Sequence, residues 1–212
     1  MLIDMEADLS LIGMEKGRQY ETIITSINSE GIKNAAPIGV LCSGRDIILN
    51  RIFKGSRTLD NIISQREFVV NITHSPKLFT SSLLGNLDDE CFRDDLSIKG
   101  CDAYFRCSVI SLTEAVKQSD PVKKKGEAII IKSKVTELRI TKDTMAFNRG
   151  FGYVIESLTN FLRFDMVDGE LKEFYIKRFR EAYRVVNKVG TKEDIKAMHK
   201  IKKELKARGH EI

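Results

Sequence analysis

The chain has 212 residues, 42% hydrophobic and 31% charged with three prolines, a composition that argues against disorder, needs no disulfide scaffold or metal, and suffices for one large domain, or a domain with an appendage. The net charge of +5 sits near the C-terminus, where residues 168–212 hold 13 Lys and Arg against 8 Asp and Glu; the preceding residues hold 22 of each. Apolar stretches are strand-sized, short of the roughly 20 residues of a membrane span, and the mixed start MLIDMEADLSLIGMEKG lacks the features of a signal peptide, so a cytoplasmic location is expected.

The run RQYETIITSIN has the β-branched content of a strand, SEGIKNA supplies turn residues, and APIGVLCS reads as a second strand, making a hairpin. RDIILNRIF gives a third strand. A helix follows with Leu59, Ile62 and Ile63 on one face. EFVVNIT is the fourth strand, and residues 74–99 read as a short helix plus loop covering one mouth of the sheet. DAYFRCSVISLTEAVK and EAIIIKSKVTELRIT are two further strands, joined by the lysine-rich turn KQSDPVKKKG.

Six strands with one early helix predict a closed antiparallel β-barrel over residues 1–145. From about Thr144 the period becomes helical, predicting a C-terminal helical region over 146–212. Its first helix has Val154, Leu158, Phe161 and Leu162 on one face, and its second has Leu171, Phe174, Ile176, Phe179, Tyr183 and Val186. Gly190 closes the second helix, and Thr191 with Asp194 opens a third that ends near Gly209. The basic tail lacks interleaved aromatics for base stacking, so it reads as a solvated helical face, with His199 and His210 in solvent, rather than a nucleic-acid surface.

Cys42, Cys91, Cys101 and Cys107 have no CxxC spacing and no histidine close in sequence, which points to core thiols and to no metal site. The segment IFKGSRTLDNI packs Lys54, Ser56, Arg57 and Thr58 at the mouth of the first helix. Unpaired N–H groups and a partial positive charge favour anions there, so these residues make either a phosphate cradle or an ordinary N-cap. GxxxxGK followed by Ser or Thr is absent, as is a GxGxxG after a strand, which excludes a Walker loop and a Rossmann fingerprint. Upstream, Asn34-Ala35-Ala36-Pro37-Ile38-Gly39 opens a strand whose backbone a flat ligand can approach closely. Two further residues carry open alternatives: His74 as a proton donor or an ordinary loop histidine, and Arg149 as a ligand or subunit contact or a helix cap.

The order of strand, NAAPIGV strand, third strand, GSRTLDNI helix and FVVNIT resembles the FMN-binding split barrels related to flavin reductases. More closely, YETIITSINSEGIKNAAPIGV together with FNRGFGYVIESLTNFLRFDM resembles the mostly archaeal domain-of-unknown-function family 447. The resemblance covers nearly the whole chain. It implies an antiparallel FMN-binding split barrel with a helical appendage, and a homodimer with one FMN per protomer near the subunit interface. Asn34, Ala35, Pro37, Ile38 and Gly39 would border the isoalloxazine. Asn50, Arg51, Lys54, Ser56, Arg57, Thr58 and Asn61 would hold the phosphate, and Asn71 would lie near the ligand. Similar barrels accommodate the deazaflavin F420 or haem, and F420 also carries a phosphate. The function implied is a flavin-dependent oxidoreductase of unknown substrate. The alternatives are a flavin carrier without turnover, or a partner or nucleic-acid module using the basic helices.

Overall fold

The computed structural model describes residues 7–85, 87–118 and 125–212. Residues 119–124, most of the expected lysine-rich turn, lie outside the described residues. The chain divides into two units, Met1–Phe147 and Asn148–Ile212.

In the first unit, β1 (Gln19–Ile27), β2 (Lys33–Cys42), β3 (Ile47–Phe53), β4 (Glu67–Ile72), β5 (Ala103–Gln118) and β6 (Lys125–Ile140) close into an antiparallel barrel in the order β1-β2-β3-β6-β5-β4. Each expected strand is present. Alternation turns Tyr20, Ile24, Val40, Ile48, Ile52, Val70, Phe105 and Ile131 into a common core. β4 pairs with β5 only as far as Ser108, so beyond that point β5 has β6 alone beside it, a β5–β6 ribbon whose other edge still carries β3 as far as Ala128.

Both mouths of the barrel are filled by chain. α1 (Arg57–Gln65) packs against β1 to β4 and sends Leu59 and Ile62 into the core. Ile63, expected on the same face, stays 43% exposed. A 3-10 turn, Leu9–Ile12, puts Leu9 and Ile12 into the other end of the core. Four residues are too few to show a helical period, so the sequence gives no sign of it. The short helix expected after β4 is α2 (Pro76–Leu84), capped by Ser75 and ended by Gly85 at φ 74°. It lies against β2 instead of covering a mouth, since α1 and the 3-10 turn already occupy those places.

Closure depends on a narrow seam. β1 and β4 share only the pairs Ile23–Asn71, Ile24–Val70 and Thr25–Val69. At that seam the fully buried Asn71 donates from Nδ2 to Ile23 O (3.0 Å) and Thr25 Oγ1 (3.1 Å), and its Oδ1 accepts from Ile98 N (2.8 Å). One amide thus ties two strands to the segment that leads into β5. Farther along β1, Glu21 N donates to Phe147 O (2.8 Å), so the open stretch of this edge is partly met by the end of the unit.

The second unit contains α3 (Gly150–Phe161), a 3-10 turn Leu162–Asp165, α4 (Gly169–Val189) and α5 (Lys192–Ala207). The division falls after Phe147, two residues beyond the expected boundary, because Ala146 is buried in the barrel core and its N–H donates to Ile12 O (2.7 Å). Thr191 and Asp194 form the capping box read from sequence. The core of this unit gathers Val154, Phe164, Ile176, Phe179, Val186, Met198, Ile201 and Leu205.

Three expectations fail here. On α3 only Val154 of the anticipated face is fully buried. The inner side also holds Ser157 and Asn160, whose side chains bond back to Tyr153 O (2.7 Å) and Glu156 O (2.8 Å), while Leu158 and Leu162 point outward. On α4, Leu171 and Phe174 are half-exposed although Ile176, Phe179 and Val186 are buried. His210 is buried: after Gly209 at φ 83° the chain folds back, Nε2 meets Asp165 Oδ1 at 2.8 Å, and the ring stands 5.3 Å from that of Phe164. Arg208 also pairs with Asp165, and these two partners, Arg208 foremost, hold its carboxyl below the usual range.

Among the described residues no helix is long and apolar enough to cross a membrane. Replacing Asn71 by Ala strands a buried N–H and two buried acceptors, so Asn71→Ala is expected to cost about 2–4 kcal/mol in urea unfolding. A loss below 0.5 kcal/mol, on the order of an ordinary surface change, would show that the seam closes without it.

Candidate functional site

The chain leaves β3 at Phe53 and turns at Gly55, φ 85°, a left-handed conformation that favours glycine. It enters α1 through Ser56, whose Oγ accepts from Leu59 N (3.3 Å) and donates to Phe53 O (3.2 Å). Ser56 is therefore the N-cap, with its hydroxyl engaged on the protein. Thr58 is buried and its Oγ1 accepts from Asn34 Nδ2 (2.8 Å). One turn on, Asn61 Nδ2 donates to Ser26 Oγ (3.1 Å). These two bonds tie α1 to the β1–β2 hairpin, to which it is not sequence-adjacent.

Beside them lies a cavity of about 330 Å³ whose lining includes Asn28, Lys33, Asn34, Arg57, Asp60 and Asn61. Arg57 is exposed and makes no ion pair among the described residues. The amides of Arg57 and Thr58 belong to the first turn, where a helix has no internal acceptors. Lys33 reaches toward Asp89 at 3.9 Å and stands over the Phe92 ring at 5.5 Å. With Asp60 opposing two cations, the charged lining nets to one positive charge, and the helix start adds to it.

Lys54 behaves differently. Its Nζ lies 3.0 Å from Glu114 and 3.0 Å from Glu127 on the β5–β6 ribbon. These two hydrogen bonds, first Glu114 and then Glu127, raise its pKa. Two carboxylates already satisfy this cation, so Arg57 is the guanidinium or ammonium most open to an incoming anion at the start of α1.

Strand alternation divides the remaining expected residues. On β2, Asn34 and Ile38 share a face with the inward Val40, whereas Ala35, Pro37 and Gly39 take the opposite face. A flat ligand lying on one face meets one of these sets and not both. A Cβ on Gly39 would stand 2.5 Å from Gln19 Nε2, so the space left by the missing side chain is taken by Gln19. On β3, Asn50 points into the barrel, its Nδ2 3.4 Å from Gly39 O and its buried Oδ1 without a hydrogen-bond partner, while Arg51 points outward. Asn71, expected near the ligand, is fully buried with its amide spent on the β1–β4 seam.

Ser26, Asn28, Lys33 and Asp60 were missed by sequence reading. Asn28 Oδ1 accepts from Glu30 N and Ile32 N, a turn role that the SINSEG run does signal. Its place beside α1 emerges only from packing. His74 follows the end of β4 away from α1, near Asp102 (3.6 Å) and the Phe147 ring (5.8 Å), so it does not share the cavity of Arg57. Arg149 occupies the N-cap position of α3 without a side-chain cap bond, and Gly150 N donates instead to Asn148 Oδ1 (2.7 Å). The cysteines are free thiols: Cys42, Cys101 and Cys107 are buried, and burial pushes Cys107 well above the usual thiol range. Among the described residues no group of His, Cys, Asp and Glu could hold a metal ion.

Residues 20–142 match the family model described as protein of unknown function (DUF447) N-terminal domain, and residues 148–203 match that described as protein of unknown function (DUF447). The chain belongs to the DUF447 family. It is similar to the uncharacterized protein MJ1453 of Methanocaldococcus jannaschii, 22% identical over 175 residues that cover 81% of this chain and 90% of that protein. It is also similar to the crystal structure of the FMN-bound protein MM1853 of Methanosarcina mazei, at 24% identity and a TM-score of 0.51, over 92% of this chain and 99% of that one. The styrene monooxygenase flavin reductase of Pseudomonas putida S12 matches 61% of this chain and 84% of its own, at 14% identity and a TM-score of 0.47. With MM1853 this DUF447 chain shares its fold, here a closed six-stranded antiparallel barrel with a helical appendage.

The tether between α1 and the hairpin is open to a double-mutant cycle. Asn34→Ala and Thr58→Val should each destabilise by about 1 kcal/mol, with a coupling of roughly 0.5–1.5 kcal/mol. Additive losses would mean that the bond contributes nothing of its own.

Proposed function

We propose that this DUF447 chain binds FMN with the phosphate at the start of α1 and acts as a flavin-dependent oxidoreductase of the flavin reductase type. The observation that carries the proposal is Arg57, a cation without an ion-pair partner among the described residues, at a helix N-terminus and on a cavity with the amides of Asn34 and Asn61. MM1853, a protein of similar fold over nearly the whole chain, is FMN-bound, which supports the same ligand here.

The residues present fit the group. A phosphate dianion suits Arg57, the first-turn N–H groups and the nearby Lys33, with Asn34 and Asn61 as amide donors and acceptors. Lys54 enters only by exchanging its glutamates for the phosphate. The volume falls in the range of about 300–1,000 Å³ typical of small-molecule pockets, at its lower end, which suits one part of a flavin with the ring on the adjoining β2 surface. Bound flavin supplies hydride or electron transfer. The chain's own part is to neutralise the phosphate, orient the ring along β2 and leave a face for the second substrate.

Purified protein should be yellow or take up added FMN, and mass analysis of the heat-released cofactor should return FMN. Arg57→Ala should weaken FMN binding by about 10- to 100-fold, the loss of one charge-assisted contact; Lys54→Ala should weaken it less. Release of F420 would keep the anion site and overturn FMN. A protein that takes up no flavin would reduce the helix start to an N-cap. Loaded protein that NADH and NADPH cannot reduce would point to a flavin carrier.

A further inference from the structure

Between α3 and α4 lies a cavity of about 420 Å³, and its lining runs from Tyr153 to Ala182, within the helical unit. Tyr153, Phe164, Phe174, Tyr175 and Phe179 supply its rings. Phe164 stands edge-on to Phe179 (6.3 Å between ring centres) and Phe174 edge-on to Tyr175 (5.5 Å), so the rings brace one another. The two polar residues that α3 turns inward line the same cavity: Ser157 and Asn160 are each 5% exposed. Large apolar side chains at those positions would fill the space, as core packing ordinarily does. A hydroxyl and an amide leave it open.

The charges around the cavity are already matched. Glu156 accepts from Arg178 and from Asn160 Nδ2 (2.9 Å), and Glu181 pairs with Arg184 at 2.7 Å. Arg178 also stands over the Phe174 ring at 5.4 Å, and Arg163 over the Tyr175 ring at 6.0 Å. The protein's own guanidinium groups thus hold the places that a cationic ligand would take over those two rings. Glu156 and Glu181 balance Lys177 and Arg178, so the lining carries no net charge. By contrast, the hydroxyls of Tyr153 and Tyr175 make no hydrogen bond among the described residues. Ser157 Oγ, which donates to Tyr153 O (2.7 Å), keeps its acceptor side free.

We propose that this cavity binds an uncharged planar aromatic compound of one or two rings that bears a carbonyl group. The volume lies in the lower part of the range of about 300–1,000 Å³ for small-molecule sites, which suits two fused rings better than a dinucleotide. Aromatic walls favour a flat apolar body, and two free phenol donors favour an oxygen acceptor on its edge. A charged ligand would give up water for a lining whose charges are balanced.

The inference rests on the helical unit and not on the flavin reading. Equilibrium dialysis of coumarin against the full-length chain in excess FMN should show one site with a dissociation constant tighter than ~1 mM. Ala182→Phe, which puts a ring into the space, should weaken coumarin at least tenfold with unchanged far-ultraviolet circular dichroism. The Tyr153→Phe, Tyr175→Phe double variant keeps both rings, should weaken it about three- to tenfold, and serves if Ala182→Phe does not fold. A chain that takes up no FMN yet binds coumarin would remove the flavin reading and leave this site standing. No binding by wild type, or folded variants that bind as tightly as wild type, would overturn the proposal. So would coumarin that rising FMN displaces, which would assign the probe to the flavin site, or 2-naphthoate bound more tightly than coumarin through the exposed Lys177.

Discussion

The three-residue seam between β1 and β4 is the constraint on which the first unit turns. β2 and β3 also share only three pairs, but a short turn in sequence joins them, whereas β1 and β4 are far apart in the chain; β1 meets β2 over nine residue pairs and β3 meets β6 over seven. A short ladder gives few backbone bonds, and a barrel left open there would expose two edges. The structure answers with a side chain. Asn71 sits within the seam and spends both donor and acceptor on three different partners, so closure, the orientation of β4 and the placement of Ile98 become one cooperative arrangement.

The candidate site depends on that closure. α1 is joined in sequence to β3 and β4, yet it shares the lining of the cavity with the β1–β2 hairpin. Those two halves stand together because the barrel is closed and because Asn34–Thr58 and Asn61–Ser26 fasten the helix to the hairpin. The helix is also held from within by Leu59 and Ile62. An anion site on such a helix is preorganised: its dipole and first-turn amides are fixed by the core before any ligand arrives. The ribbon of β5 and β6 adds a selective element, since Glu114 and Glu127 hold Lys54 and leave Arg57 as the open cation.

In the helical unit the division of apolar residues is unusual. α4 and α5 place Ile176, Phe179, Val186, Met198 and Leu205 in a common core, while α3 turns Ser157 and Asn160 inward and keeps its larger hydrophobes outside. Ser157 and Asn160 are tolerated because each bonds to a carbonyl one turn earlier, so no buried polar atom of theirs requires a partner from another helix. The consequence is a helix with apolar residues on two sides, one spent within the unit and one left over.

Local pattern was enough for much of this. β-Branched runs bounded by turn residues identified every strand, the change to helical period located the appendage, and Ser56, Thr191 and Asp194 read correctly as helix starts, because these features depend on neighbours within a few residues. The stretch proposed to hold the phosphate was also legible as a candidate, since hydroxyls, cations and a helix start coincide in sequence. What chemistry alone could not divide was the set of expected contacts: Asn71 looks as suited to a ligand as Asn61 until pairing with β1 and Ile98 consumes it. The same holds for Lys54, whose partners lie 60 and 73 residues away, and for Leu158, which belongs to an apolar stripe whichever way the helix is turned. Sequence by itself determined which residues could form strands, helices and an anion-binding turn, since those are set by local geometry. Tertiary structure decided which of them were free to act, because only long-range packing allots each polar group its partner and each apolar face its cover.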